Sequence, residues 1–247
     1  MRVEVRVVGL LDVRGPGAAQ VGGSTPRTVL ALLAVRRGRL VAADQIAEVL
    51  WGTRAPARPA AGVSTIVSRL RRALGPETIN GDRNGYRLGD STWVDLSAAA
   101  ALIDRAEARL DADCPADCLG PAGRGVELLA GGPVLADLGT QAWVESARMT
   151  QAALLRRGRY VLVEGALRTG DLVGARRSAL AAIAADPLDE AAYRALMRAL
   201  SLAGQPDLAL GVYEGLRAVL AEALGMDPAP VTRDLRRTIT RGRRVSL

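Results

Sequence analysis

The chain of 247 residues is long enough for one large or two ordinary domains, and its apolar core must use Ala, Leu and Val, because Phe is absent and only 3% of residues are aromatic. Such a composition favours packed helices over an all-β sandwich. Without His or Lys, no Ser-His-Asp nucleophile, HExxH zinc site or Schiff-base lysine can form, and two cysteines cannot complete a four-ligand zinc site. The sequence therefore predicts a protein that is not an enzyme and that uses no metal or cofactor.

The net charge of +7 is unevenly distributed along the chain. Residues 1–96 contain 14 arginines and 8 acidic residues, whereas residues 97–232 contain 13 arginines and 17 acidic residues. Residues 233–247 add six arginines and one aspartate. A basic segment beside an acidic one suggests a polyanion as the partner of the first segment. A preference for Arg over Lys explains the residue type but does not explain this segregation.

The first 52 residues predict short strands and two helices. Alternating valines predict a strand within residues 1–13, and a second short strand is predicted near residues 19–21. The first helix is predicted to begin with Thr25 as its cap and to end before Gly38. A short strand at residues 40–41 precedes a second predicted helix over residues 44–51.

The predicted third helix, residues 60–74, has an apolar face and a basic face. The apolar face consists of Val63, Ile66, Val67, Leu70, Ala73 and Leu74. The polar face consists of Ser64, Thr65, Ser68, Arg69, Arg71 and Arg72, and it contains no acidic residue. Guanidinium and hydroxyl groups are the side-chain groups that contact guanine edges and phosphates in DNA. Because basic amphipathic helices also bind membranes and proteins, this face alone favours DNA binding no more than a solvated surface.

Residues 77–88 carry two Asn-Gly dipeptides, which predict a β-hairpin with Arg83 at its tip. Strands, three helices and a terminal hairpin within 100 residues are typical of a winged helix-turn-helix. In that fold the third helix enters the major groove and the hairpin lies along a phosphate strand. Arg27, Arg71 and Arg87 are further candidate phosphate contacts.

The second half of the chain predicts an all-helical domain. A helix over residues 96–110 is followed by a loop that carries Cys114 and Cys118, and then by a helix that begins at residues 126–130. The thiols are interpreted as incidental and reduced, with a regulatory pair as the alternative. Gly170-Asp-Leu-Val-Gly-Ala175 returns 34 residues later as Gly204-Gln-Pro-Asp-Leu-Ala209, which is the tetratricopeptide period.

Eight runs of this sequence resemble the antibiotic regulatory proteins of actinomycetes. They are Leu30-Ala-Leu-Leu-Ala34, Val41-Ala-Ala-Asp44, Leu50-Trp-Gly52, Val67-Ser-Arg-Leu-Arg-Arg-Ala-Leu74, Asn84-Gly-Tyr-Arg-Leu88, Leu128-Leu-Ala-Gly-Gly-Pro-Val-Leu-Ala-Asp137, Asp186-Pro-Leu-Asp-Glu190 and Ala223-Leu-Gly-Met-Asp-Pro228. The resemblance implies an OmpR-like winged-helix DNA-binding domain over residues 1–96. It also implies a bacterial transcriptional activation domain with tetratricopeptide-like helical pairs over residues 97–247, in a regulator of the short, stand-alone type. The sequence departs from the family pattern at Ala42, where a capping Ser is common, at Gly62 in the third helix, and at Asp82 in the wing.

The function that this resemblance implies is a transcriptional activator of secondary-metabolite genes. It would bind direct repeats in double-stranded DNA near a promoter, as a homodimer or in tandem, and recruit RNA polymerase. Ser64, Thr65, Ser68, Arg69 and Arg72 would face DNA, and Thr53, Arg54 and Arg58 would be candidate polymerase contacts. The alternative is a helical-repeat adaptor whose winged helix contacts protein. The absence of a signal peptide or a spanning segment predicts a cytoplasmic, nucleoid-associated protein with no membrane partner.

Overall fold

The computed structural model describes residues 2–242, which form helices and short strands. The strands are β1 (Glu4–Arg6), β2 (Asp12–Arg14), β3 (Val41–Ala42), β4 (Ile79–Asp82), β5 (Gly85–Leu88) and β6 (Trp93–Val94). The helices are α1 (Ser24–Val35), α2 (Ala43–Trp51), α3 (Pro59–Leu74), α4 (Asp95–Asp111), α5 (Pro115–Leu129), α6 (Ala142–Thr169), α7 (Leu172–Ala185), α8 (Glu190–Leu202), α9 (Pro206–Leu224) and α10 (Pro230–Thr240). The predicted fold class, mainly α with a small β content, is confirmed.

The chain clusters into two compact units, and each unit combines two separate stretches of sequence. The first unit contains the residues up to Ala101 together with Glu127–Ala153. The second contains Leu102–Val126 together with the residues from Leu154 onward. Helices α4, α5 and α6 therefore contribute residues to both units. The sequence boundary after residue 96 stays a prediction.

Two three-stranded sheets belong to the first unit. In one sheet β1 lies between β2, to which it is antiparallel, and β6, to which it is parallel. In the other, β5 lies between β3 and β4 and is antiparallel to both. The β4–β5 hairpin confirms the turn that the Asn-Gly dipeptides predicted, because Gly81 pairs with Tyr86 and Asp82 with Gly85.

Helices α2 and α3 bury apolar residues along one face, whereas α1 buries six consecutive residues. Val29 to Ala34 are buried in α1, and Ile46 and Ala47 are buried in α2. Four residues of the predicted apolar face of α3 are fully buried, and the remaining two, Ile66 and Ala73, are partly exposed. The buried four are Val63, Val67, Leu70 and Leu74.

Two local predictions in the first unit were wrong, and a third was shifted by one residue. Thr25 does not cap α1, because the helix begins at Ser24. Its cap position is Gly23, which has no side chain to accept a capping hydrogen bond. Residues 19–21 form no strand, since Ala18–Gln20 is a 3-10 helix that follows the left-handed Gly17. The strand expected at residues 40–41 lies one residue later, where Val41 and Ala42 pair with Tyr86 and Gly85.

The carboxylate of Asp95 fixes the end of β1 to the start of α4. It accepts hydrogen bonds from the backbone N–H groups of Val7 at 2.9 Å, Val8 at 2.9 Å and Leu96 at 2.7 Å. Asp95 is only 4% exposed, and burial raises the pKa of its carboxyl, although these N–H groups and Arg6 act in the opposite direction. One buried side chain thus satisfies three backbone donors.

A loop of the same unit extends the pairing beyond β1. The N–H of Leu135 donates to the Val7 carbonyl at 2.7 Å, and the N–H of Ala136 donates to the Gly9 carbonyl at 2.8 Å. The N–H of Gly9 in turn donates to the carbonyl of Pro133 at 3.2 Å. Residues 133–136 therefore pair with residues 7–9 around an isolated antiparallel bridge between Val8 and Val134.

In the second unit, two pairs of residues that are 34 positions apart have matching structural roles. Gly170 and Gly204 both have a left-handed backbone, with φ of 78° and 74°, at the ends of α6 and α8. Ala175 and Ala209, in the helices that follow, are both completely buried. Small residues at these positions allow close packing of neighbouring helices.

The predicted cysteine loop is instead the start of α5, which begins at Pro115 and continues past Pro121 to Leu129. Cys118 is fully buried in a cluster with Ala106, Leu110, Ala122 and Val161, so burial drives the helix despite its internal proline. Both thiols are free, and burial raises the pKa of the Cys118 thiol. Residues 126–129, where a new helix was predicted to begin, are instead the last turn of α5.

The Asp95 contacts generate a stability prediction. We expect Asp95→Ala to lower the free energy of unfolding by about 3 kcal/mol, because three backbone N–H groups lose their acceptor and each such group costs about 1–3 kcal/mol. Urea unfolding of the purified chain measures the change. The control is Asp90→Ala, which removes an exposed carboxylate and should change stability by less than about 0.5 kcal/mol. Equal midpoints for the Asp95 variant and the wild type would contradict the role of Asp95.

Candidate nucleic-acid interface

The solvent-facing side of α3 carries hydroxyl and guanidinium groups. Thr65, Ser68, Arg69 and Arg72 are exposed, and Ser64 is partly buried. The hydroxyl of Thr65 donates to the Ala61 carbonyl at 3.0 Å, so its oxygen is left as an acceptor. No acidic residue occurs in α3, so the positive charge of this side is not neutralised within the helix.

Arg71 projects from α3 toward the hairpin. Its Nε donates to the Ile79 carbonyl at 2.8 Å and its Nη2 to the Gly81 carbonyl at 2.8 Å. Its guanidinium carbon lies 5.7 Å from the centroid of the Tyr86 ring, within the range of a cation–π contact. Arg71 therefore holds strand β4 against α3, a role that the helical periodicity did not reveal.

The hairpin tip is shaped by Asp82. Its Oδ1 accepts a hydrogen bond from the N–H of Asn84 at 2.8 Å, which is an Asx-type turn. The exposed Arg83 lies between these two residues. Asp82 thus orders the hairpin turn that presents Arg83.

Two of the other candidate phosphate contacts have partners within the chain. Arg27 donates to the carbonyl of Leu11, whose N–H donates to Asp137 Oδ1 at 3.1 Å. Arg87 Nη1 lies 3.6 Å from Asp90 Oδ1, and this exposed ion pair leaves the guanidinium accessible. Of these two arginines, Arg27 is thus the one whose guanidinium group is bonded to the backbone of the first unit.

The segment between α2 and α3 is exposed and stiff. Thr53, Arg54 and Arg58 are all exposed, and Gly52 has a positive φ of 51° immediately after Trp51. The segment continues with Pro56 and ends at Pro59, the first residue of α3. The candidate polymerase contacts therefore lie on a connection that backbone geometry restrains.

Gly62 has a packing role at the start of α3. A Cβ at this position would lie 2.9 Å from the Cη2 atom of Trp51, closer than such contacts normally occur. The missing side chain leaves space for the Trp51 ring between α2 and α3. The glycine that interrupts the helical pattern is therefore explained by close packing of these helices.

Residues 2–242 contain no group of three or more Cys, Asp and Glu residues that could hold a metal ion. In the same range, no helix combines the length and the apolar character needed to cross a membrane.

The model of the bacterial transcriptional activator domain matches residues 94–240 of the chain. The transcriptional regulatory protein MoaR1 of Mycobacterium tuberculosis is 31% identical over 259 residues, which cover 97% of this chain and 79% of MoaR1. The chain belongs to the actinomycete antibiotic regulatory protein family. A second relative is the regulatory protein DnrI of Streptomyces peucetius. It is 26% identical over 253 residues, which cover 94% of this chain and 92% of DnrI.

Longer relatives match over only part of their length. The regulatory protein AfsR of Streptomyces griseus is 33% identical over 235 residues, which cover 92% of this chain but 23% of AfsR. The solved structure of Mycobacterium tuberculosis EmbR in complex with a low-affinity phosphopeptide has a TM-score of 0.86 at 24% identity. The match covers 99% of this chain and 66% of that chain, and it shows a shared fold.

The contacts of Arg71 and the exposure of Arg72 predict that these two neighbouring arginines differ in their effect on stability. We expect Arg71→Ala to lower the free energy of unfolding by roughly 2 kcal/mol, because it removes two hydrogen bonds and a cation–π contact. Arg72→Ala should change it by less than about 0.5 kcal/mol, because Arg72 is exposed. Thermal unfolding of both variants tests the difference, and equal losses would refute the assignment of Arg71 to the hairpin.

Proposed function

We propose that the chain is a transcriptional activator that binds direct repeats in duplex DNA near a promoter, recruits RNA polymerase and catalyses no reaction. Residues 1–96 serve as an OmpR-like winged helix, and residues 97–247 as the activation domain. The observation that carries the proposal is the acid-free exposed side of α3, held beside a hairpin that presents Arg83. Membership of a family of regulatory proteins supports the proposal.

In this proposal α3 enters the major groove. Arg69 and Arg72 serve guanine edges or phosphates, and Ser68 can donate or accept. Thr65 accepts from the amino group of a base, because its own proton is used by the Ala61 carbonyl. Arg71 acts as a positioning residue, which fixes the distance between the groove-reading helix and the phosphate-contacting hairpin.

The activation domain supplies helical pairs of the tetratricopeptide kind. The matched backbone of Gly170 and Gly204 and the matched burial of Ala175 and Ala209 support this interpretation. Two copies of the chain on adjacent repeats of the operator, as a homodimer or in tandem, raise the effective concentration of each winged helix. The site of action is nucleoid DNA in the cytoplasm, at secondary-metabolite genes such as those for antibiotic synthesis.

DNA binding is tested on the promoters adjacent to the gene for this chain, by footprinting and then by anisotropy titration of the protected duplex. With about six phosphate contacts, affinity should fall on the order of a thousandfold between 50 and 200 mM salt. Arg72→Ala should weaken binding to the protected sequence by about 1–3 kcal/mol if Arg72 reads a base.

The matched control is Arg176→Ala, because Arg176 is an exposed arginine on α7, in the second unit. It should bind the duplex as the wild type does. A uniform loss for Arg72→Ala on unrelated duplexes would make Arg72 a phosphate contact. Failure of the wild type to bind any duplex would refute the proposal and favour a protein-interaction adaptor.

Polymerase recruitment makes a separate prediction for the segment before α3. We expect the double variant Arg54→Ala/Arg58→Ala to reduce activated transcription in vitro by roughly tenfold, since Arg is enriched among the few interface residues whose truncation costs about 1 kcal/mol or more. Its affinity for the duplex should stay near that of the wild type, because these residues are predicted to contact polymerase. A parallel loss of DNA affinity would assign both arginines to the DNA interface instead.

A further inference from the structure

Two cavities of the first unit share Arg36, Arg39 and Trp143 in their walls. One cavity has a volume of about 280 Å³, and the other about 240 Å³. The larger is lined by the end of α1 and the residues after it, and by the first turns of α6. The smaller is lined by residues of α1, β3 and α2 together with the same tryptophan. The shared residues make these cavities parts of one site.

The larger cavity is strongly basic. Arg36, Arg37 and Arg39 all line it, and no aspartate or glutamate is among its lining residues. Within residues 2–242, none of these three guanidinium groups lies in an ion pair with a carboxylate. Three neighbouring positive charges without a carboxylate partner favour an anion of more than one negative charge.

One of the three guanidinium groups is held by hydrogen bonds within the chain, and the other two are exposed to solvent. Arg37 donates to the carbonyls of Thr92 and Asp90, so its position is set by the fold. Partial burial lowers the pKa of Arg37, and nearby Arg2 acts in the same direction, while Asp90 opposes them. Arg36 and Arg39 are exposed and can turn toward a ligand.

The remaining lining residues define what surrounds the anion. Ser146 offers a hydroxyl, whereas the hydroxyl of Thr150 already donates to the Ser146 carbonyl at 2.9 Å. The indole N–H of Trp143 donates to Gln141 Oε1 at 2.6 Å, and the residue is only 9% exposed, so the ring offers a small apolar and π surface. Donors for an anion thus come from two guanidinium groups and one hydroxyl, beside an aromatic wall.

The smaller cavity extends this aromatic wall with aliphatic side chains. Leu32, Leu40, Val41 and Val49 line it, together with the polar Gln45 and Glu48. Because Glu48 would repel an anion, the negative group belongs in the larger cavity and an uncharged group in the smaller one. Together the two volumes suit a small molecule with an anionic head and a compact apolar body.

We propose that this site, formed by Arg36, Arg39, Ser146 and the Trp143 ring, binds the phosphate group of a phosphorylated small molecule. Guanidinium groups match the oxygens of phosphate bidentately, and two of them neutralise its double charge. The organic part of the ligand contacts Trp143 and the aliphatic residues of the smaller cavity. The site is separate from the exposed side of α3, so it is independent of the DNA-binding proposal.

The experiment titrates the full chain with phenyl phosphate and, separately, with inorganic phosphate, by calorimetry at constant ionic strength. We expect phenyl phosphate to bind more tightly than inorganic phosphate, by roughly tenfold, because its ring adds apolar contact. Arg36→Ala/Arg39→Ala should weaken phenyl phosphate binding by about tenfold or more, since two charge-assisted contacts are lost. Arg36→Gln/Arg39→Gln, which keeps side-chain length, replaces it if the alanine variant does not fold.

The matched control is Arg176→Ala/Arg177→Ala, which removes two exposed arginines from α7 and should bind as the wild type does. No binding by the wild type, or equal loss in both double variants, overturns the proposal. A duplex DNA arm identifies the source of the phosphate. If phenyl phosphate competes with the duplex and the Arg36/Arg39 variant loses duplex affinity, the phosphate belongs to the DNA backbone. Unchanged duplex affinity supports a free ligand, and intact DNA binding with no phosphate binding refutes this site alone.

Discussion

The first unit depends on how the polar backbone of residues 7–9 is satisfied. The carboxylate of Asp95 takes the N–H groups of Val7 and Val8, and the loop at residues 133–136 pairs with Val7 and Gly9. Neither partner can be replaced by water without exposing β1, because Val5 and Val7 are fully buried. The strand at the start of the chain is therefore completed by residues more than 120 positions later, inside the region that matches the activator domain.

Two buried or half-buried side chains of α6 hold that loop. Gln151, 6% exposed, donates to the carbonyls of Leu129 and Gly132 and accepts from the N–H of Val134. Arg148 donates to three further loop carbonyls. Because the first turns of α6 are tied to the loop and the loop to β1, Trp143 and Ser146 stay beside the arginines that follow α1. The same turns of α6 thus hold the loop and form one wall of the basic cavity.

Local periodicity predicted the parts of the fold in which one helix or hairpin buries its own apolar face. The faces of α3 and the β4–β5 turn are of this kind. It failed where contacts with distant residues determine the secondary structure. In α5 the glycines and Pro121 suggest a loop, but the segment is helical because Cys118 and Ala122 are buried against Val161. The polar face of α3 could be identified from the sequence by local periodicity. The different role of Arg71 could not, because its hydrogen-bond partners are carbonyls of strand β4. The cavity of Arg36 and Trp143 lay outside sequence reasoning, because its walls are more than 100 residues apart.

Two of the departures from the family pattern, Ala42 and Asp82, are linked through the hairpin. Ala42 leaves α2 without a side-chain cap, but the first N–H of that helix, from Ala43, donates to the carbonyl of Asn84 at 3.4 Å. Asn84 is held in place by its own N–H bond to Asp82. The hairpin thus supplies an acceptor for the helix that lacks a capping serine, and Asp82 orders the hairpin turn. Since Arg71 joins the same hairpin to α3, a change at the tip would alter contacts of both α2 and α3.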